Sequence, residues 1–302
     1  MDYINARRAE VEHALAAILP PVPECPKVVH DAMSYSLHAG GKRLRPILCL
    51  ASADAVGGDR TLAVPAACAI ELIHTYSLIH DDLPSMDNDT MRRGRPTLHV
   101  VAGEGIAILA GDGLLTQAFS HLASQPRSTD PAVIARKLEV IQIIAQAAGP
   151  IGMVGGQAID LATVTPGATG GLPRPLDEHG VRVMHSKKTG ALLRASGRAG
   201  AVMGGGSHQQ IAAIDDASGE FGLAFQIVDD ILDVEGVSAD LGKTAGKDAA
   251  SGKPTYPSMY GVEASRRMAS DCLERAESVL AAAGIADERI LGIGRWIVER
   301  SN

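Results

Sequence analysis

Two aspartate clusters are the residues in this chain best suited to chemistry. Asp81, Asp82 and Asp87 occur in "HDDLPSMDND", directly after the apolar stretch "ACAIELIHTYSLIH". Asp229, Asp230 and Asp233 occur in "FGLAFQIVDDILDVEG". Carboxylates at a helix C-terminus oppose the macrodipole, which already places negative charge there, so a cation is expected to compensate. Mg²⁺ suits them: it is a hard ion that takes a few carboxylates together with phosphate oxygens. Asp229 and Asp233, at i and i+4, share one helix face and can converge on one ion. Asp87 lies six positions beyond Asp81, so only the bend at Pro84 can bring the two together. A solvated acidic face is the alternative for either cluster alone. Two apolar helices carrying the same costly feature favour metal binding.

Basic residues recur close by. "HAGGKRLRP" supplies Lys42, Arg43 and Arg45 after two glycines, "MRRGRPT" supplies Arg92 and Arg93, and "HSKKTGALL" supplies Lys188 and Thr189. Each has an ordinary reading: a helix start with a basic face, surface ion pairs, or a capping threonine. Together they suit phosphate oxygens, which arginine grips in a bidentate manner. There is no HExxH, no Walker glycine loop and no GxGxxG, and "GGG" at 204–206 reads as a turn. Metal-assisted departure of a diphosphate accounts for this set best.

The elements that must position these residues read as helices. Apolar residues recur at helical spacing between Gly/Pro punctuation, and no clear period-2 alternation flanked by hairpin turns is evident. The spacing predicts about eleven helices, over 2–19, 27–39, 41–56, 61–83, 104–124, 131–149, 151–162, 175–196, 207–234, 257–283 and 286–299. Loops are expected at the proline cluster 20–26, at 165–175 and at 204–206. The polar segment 235–257, with Lys243, Lys247 and Lys253, reads either as a surface loop or as a lid over an anionic ligand.

Composition agrees. Of 302 residues 46% are apolar and only 3% aromatic, which favours an aliphatic, all-α core over a β-sandwich. A net charge of −7 argues against nucleic-acid or anionic-membrane partners. Cys25, Cys49, Cys68 and Cys272 form no CxxC and suggest neither disulfides nor zinc. No uncharged run of about 18 apolar residues occurs, so a soluble, cytoplasmic protein without stable membrane insertion is expected.

At these motifs the chain resembles the trans-prenyl diphosphate synthase family, closest to its bacterial farnesyl-forming members, over essentially its whole length. "GGKRLRP", "HDDLPSMDND" with "RRGRPT", "KTGALL", "FQIVDDILD" and "GKTAGKDAASGKPTYP" stand in family order and spacing. The resemblance implies one polyprenyl synthetase domain over 1–302, an isoprenoid synthase fold of helices around a deep central cavity, and a homodimer. It implies that Lys42, Arg45, His74 and Arg93 hold the diphosphate of isopentenyl diphosphate. Arg92, Lys188, Thr189, Gln226, Lys243 and Lys253 are implied to contact the allylic diphosphate. Asp81, Asp87 and Asp229 are implied as direct Mg²⁺ ligands, with Asp82, Asp230 and Asp233 as further partners and three ions in all. Thr90 departs from the family, which commonly has an aspartate there. Tyr76 and Ser77, five and four residues before Asp81, are implied to set product length, an aromatic at 76 going with short products. Farnesyl diphosphate is thus the expected product, with geranylgeranyl diphosphate as alternative. Two rivals stand beside this. A terpene cyclase would need no second diphosphate site, and a non-catalytic regulatory subunit typically loses aspartates.

Overall fold

The helix boundaries follow local punctuation. In a computed structural model, which describes residues 2–164, 176–235 and 255–300, α1 spans Asp2–Leu15, α2 Lys27–Leu37 behind Pro26, and α3 Leu44–Ala55. A 3₁₀ turn, Arg60–Ala63, capped by the Asp59 carboxylate on the Thr61 amide, leads into α4, Val64–Asp81, with Pro65 in its first turn. The short α5, Leu98–Ala102, precedes α6, Glu104–Ser124. Asp130 caps α7, Pro131–Ala148, and α8 runs Met153–Val164. Asp177 caps α9, Glu178–His185; a π turn at Ser186–Gly190 joins it to α10, Ala191–Met203. The long α11, His208–Glu235, is followed by α12, Tyr256–Tyr260, which a Thr255/Ser258 capping box opens. Helices α13, Val262–Ala282, and α14, Glu288–Glu299, complete the described chain.

The all-α expectation holds, with four local differences, one being the short α5, Leu98–Ala102, which lies outside every predicted helix. The predicted helix 175–196 is interrupted by the π turn and runs on to 203. The predicted helix 257–283 breaks at Gly261, whose φ of 81° leaves helical space. Met91–Arg92 and Arg95–Pro96 form an antiparallel pair, Met91 opposite Pro96. Its two-residue turn, Arg93-Gly94, has positive φ at both positions (53° and 72°), as a primed hairpin turn requires. Two residues per strand are too few to register as alternation.

Packing places α4 at the centre. It is buried nearly all round, as an apolar helix without a polar face must be. It packs on α3, α6 and α10, while α11 packs on α10, α13 and α14. Two aliphatic cores result. One joins α1, α2, α4, α6 and α7; the other joins α11 to α14; and α3 and α10 contribute to both. The four cysteines are buried and unpaired. By length and apolarity three helical stretches, Arg60–Asp81, Glu104–Ser124 and Pro131–Thr163, are long enough to span a membrane. In the first, that apolarity is interior packing. In the other two, about a third of the apolar window is buried.

Candidate active site

The end of α4 turns on itself. The Asp87 amide donates to the Asp81 carbonyl (2.9 Å) and the Asp89 amide to the Asp82 carbonyl (3.1 Å), so the bend brings Asp87 back beside Asp81. Asn88 takes positive φ (50°) within it, a conformation asparagine tolerates. Burial pushes the Asp81 carboxyl up to about 6; Lys188 opposes that shift, and Asp87 and Asp82 add to it. Asp82 is buried and accepts from Arg92, at 2.8 and 3.0 Å from Nε and 2.6 Å from the terminal nitrogen. Arg92, implied to contact the allylic diphosphate, also braces the hairpin against α4 through this pairing.

On α11, Asp229 and Asp230 have different roles. Asp230 is buried and accepts from Gln226 Nε2 (2.8 Å) and from the Tyr256 amide (3.0 Å), which ties the start of α12 to α11. Gln226 Oε1 accepts in turn from the Thr189 hydroxyl (3.2 Å). The network thereby sets the orientation of the Gln226 amide. Asp229, on the neighbouring face, pairs with Arg300 at 2.6 Å. Asp233 stands one turn further along α11.

Between the clusters lies the π turn, a feature that often marks functional sites in helices. It sets Lys188 against Asp160 of α8 at 2.6 Å. Burial would lower the Lys188 ammonium, but Asp160, Asp81 and Asp87 together raise it, so the charge is held. The approach requires glycine: a β-carbon at Gly156 would collide with the backbone nitrogen of Lys188. Asp160→Asn should leave Lys188 without its closest counter-ion and cost roughly 2–4 kcal/mol of unfolding free energy, read by urea denaturation.

The remaining cations gather around α3. Arg43, with φ of 51°, turns inward to Glu12 (2.7 Å), Glu71 (2.6 Å) and the Leu37 carbonyl (2.7 Å) and is a buttress. Arg45 has a terminal nitrogen 3.4 Å from His74 Nε2 and a buried Nε with no partner among the described residues. Burial, then Arg45 and Arg93, push His74 well below its usual value, so the imidazole is neutral. Arg93 donates to the Gly40 carbonyl, and the missing side chain of Gly41 makes room for its guanidinium. Lys42 lies 6.0 Å from the Trp296 ring centroid. Burial lowers its ammonium, Arg300 lowers it further, and Asp229 opposes. Lys243 and Lys253 lie outside the described residues.

Three polar groups here were missed by the sequence reading. Asp160 and Gln157 sit in the apolar helix "MVGGQAIDLATV", where two buried polar residues three apart are a detectable oddity. Both amide atoms of Gln157 are buried without a partner among the described residues. Arg300 carries no local signal.

No group of three Asp, Glu, His or Cys side chains among the described residues forms a metal cage. Mg²⁺ does not ask for one, since it is held by one or two carboxylates plus waters and substrate oxygens. A half-buried Asp81 whose carboxyl is pushed up to about 6, with Asp87 folded beside it, fits that demand.

An all-α bundle with two carboxylate clusters facing a lysine-bearing π turn, and a separate cation cluster beside them, defines a diphosphate-handling enzyme. Comparison with known proteins agrees. Residues 26–283 match the polyprenyl synthetase family. The chain is 44% identical to a farnesyl diphosphate synthase of Geobacillus stearothermophilus, over 100% of this chain and 98% of that one. It is 48% identical over 278 residues to a chloroplastic geranylfarnesyl diphosphate synthase of Leucosceptrum canum, covering 92% and 74% of the two chains. Among solved structures it superposes on an apo FPP/GFPP synthase from Zymomonas mobilis with a TM-score of 0.84 at 38% identity, covering 98% and 97%. The chain belongs to the polyprenyl synthetase family, the trans-prenyl diphosphate synthases.

Proposed function

We propose that the protein condenses isopentenyl diphosphate with dimethylallyl and then geranyl diphosphate, and releases farnesyl diphosphate. The observation that carries this reading is the coexistence of two kinds of anion site. Arg45 and Arg93 gather on a neutral His74, with Lys42 near Asp229 and Arg300, while Asp81, Asp87 and Lys188 cluster around the π turn. A cyclase needs the second site alone. Farnesyl over geranylgeranyl diphosphate is favoured by Tyr76, and a full-length relative bears the farnesyl name; other relatives are named for geranylgeranyl and geranylfarnesyl products.

Asp81, Asp87 and Asp229 would hold Mg²⁺, which when bound supplies positive charge to the departing diphosphate. Lys188, kept charged by Asp160, adds an ammonium to the same oxygens. Apolar walls exclude water from the allylic cation, and the fixed Thr189–Gln226 pair presents its oxygens as negative dipole ends. Lys42, Arg45, His74 and Arg93 orient isopentenyl diphosphate so that its double bond attacks in line. No side-chain base is assigned; the proton goes to the departed diphosphate.

We read the protein as a homodimer. Val100, Val101, Ile108, Leu109, Leu138 and Ile151, on and around α5 to α7, are exposed apolar side chains that a second copy would cover. Light scattering on the eluted protein should give twice the 31.4 kDa chain mass.

Incubation with isopentenyl diphosphate and each of dimethylallyl, geranyl and farnesyl diphosphate, followed by product identification, tests the function. The expected outcome is C15 from the first two starters. Hydrocarbon release from geranyl or farnesyl diphosphate alone would establish a cyclase instead.

A further inference from the structure

The C-terminal end of α14 reaches the second aspartate cluster. Arg300, immediately after that helix, donates from one terminal nitrogen to Asp229 Oδ1 (2.6 Å) and to the Phe225 carbonyl (2.8 Å). Its guanidinium lies 3.9 Å from the Phe225 ring centroid. The pair is asymmetric. The Arg300 side chain is 2% exposed, whereas that of Asp229 is 43% exposed. Arg300 is pinned from behind by Phe225; Asp229 is open to solutes.

Two further observations concern what surrounds this pair. Arg300 Nε is buried with no hydrogen-bond partner among the described residues, a donor in want of an acceptor. Arg300 and Asp229 also act with opposite sign on Lys42, so all three charges share one neighbourhood. Arg300 therefore borders both the carboxylate read as a metal ligand and the cation cluster read as the isopentenyl diphosphate site.

We propose that Arg300 is an exchangeable latch: it holds Asp229 in the substrate-free protein, and it passes to the diphosphate of isopentenyl diphosphate when a divalent ion takes Asp229. This rests on the reading of those two sites under Proposed function. The physical reason is that a buried guanidinium cannot surrender its carboxylate without another anion, and the nearest one to arrive is the diphosphate beside Lys42. Exchange links the two binding events. A metal arriving alone must displace Arg300, whereas a metal arriving with isopentenyl diphosphate meets an Asp229 already released. Linkage makes the effect reciprocal, so each ligand tightens the other. Arg300 thus touches the diphosphate directly and acts on the metal through Asp229.

The test measures Mn²⁺ binding by paramagnetic resonance of the free ion, with and without isopentenyl diphosphate, for wild type, Arg300→Gln, Arg300→Lys and Asp229→Asn. No allylic substrate is present, so turnover does not enter. In wild type, isopentenyl diphosphate should tighten Mn²⁺ binding about tenfold, within the usual range of coupling between sites. Arg300→Gln should bind Mn²⁺ more tightly than wild type without isopentenyl diphosphate and show less than about a twofold further gain with it. Arg300→Lys, which keeps the charge, should retain part of the coupling and serves as the readout should Arg300→Gln fail to fold by circular dichroism. Unchanged Mn²⁺ affinity and unchanged coupling in a folded Arg300 variant would overturn the latch, leaving a structural clamp between α14 and α11. Asp229→Asn separates the two failures. Loss of one bound ion there, with Arg300→Gln behaving as wild type, removes the latch alone; full ion stoichiometry in Asp229→Asn removes the metal reading of Asp229 and the latch with it.

Discussion

Asp81→Asn should abolish turnover and, at the same time, raise the melting temperature of the metal-free protein. The side chain ends α4, where the helix dipole disfavours negative charge, and burial pushes its carboxyl up to about 6. The folded value lies above the unfolded one of 3.8, so the ionised carboxylate is a cost. That cost is present above about pH 6, fades as the pH falls through that value, and is gone below about pH 4. Asparagine removes it. A shift of this size, discounted for partial exposure, corresponds to about 1–2 kcal/mol at pH 7.5, or a few degrees in Tm for a chain of this length. Turnover should fall at least about a thousandfold, because a metal ligand contributes several kcal/mol to the departure of a diphosphate. Melting curves without Mg²⁺ at pH 7.5 and 5, set beside steady-state rates, check both halves. A variant with near-normal turnover would take Asp81 out of the metal site. An unchanged Tm at pH 7.5 would mean that the carboxylate is not strained.

The contrast between Asp81 and its neighbours shows which parts of the site could be read from sequence. Both aspartate clusters, the basic runs and nearly every helix were legible, because the apolar period and the Gly/Pro punctuation are local signals. The division of labour was not. Adjacent residues such as Asp81 and Asp82, Asp229 and Asp230, or Lys42 and Arg43 look alike in sequence. They differ in what reaches them from elsewhere: Arg92 for Asp82, the Tyr256 amide for Asp230, Glu12 and Glu71 for Arg43. The π turn was invisible for another reason, since one extra residue in a helical turn leaves the apolar period on either side intact. It nevertheless decides that Lys188 meets Asp160 and Thr189 meets Gln226. Arg300 lies 71 residues from Asp229, beyond any local pattern.

Tyr76→Ala should change the product from C15 to C20 or longer while costing far less turnover than the aspartate variant. Tyr76 lies five residues before Asp81 on α4. At the helical rise that is roughly 7.5 Å lower along the axis, where the tail of an allylic diphosphate anchored at the aspartates would arrive. Its ring is 7% exposed and stands edge-on to His80 at 5.7 Å between centroids. His80 is itself fixed, with Nε2 3.1 Å from the Ile108 carbonyl and Gly111 of α6 against its ring. The floor is thus a braced pair of rings rather than a single mobile side chain. Ser77 adds little bulk, its hydroxyl bonding back to the His74 carbonyl (2.9 Å). The Tyr76 hydroxyl makes no hydrogen bond to any described residue and is not sealed in, so the ring is not held there by a polar anchor. Its bulk should therefore be what matters. Tyr76→Phe, which keeps the ring, should still stop at C15. Tyr76→Ala removes the ring and leaves His80 with the fully buried Leu72 and Ile73 one turn below as the next obstacles. Loss of packing should cost about 3–5 kcal/mol of stability. The measurement is chain-length analysis of dephosphorylated products under excess isopentenyl diphosphate, for wild type and both variants. A Tyr76→Ala enzyme that still stops at C15, or a wild type that makes mainly C20, would place the floor elsewhere and leave the condensation chemistry untouched.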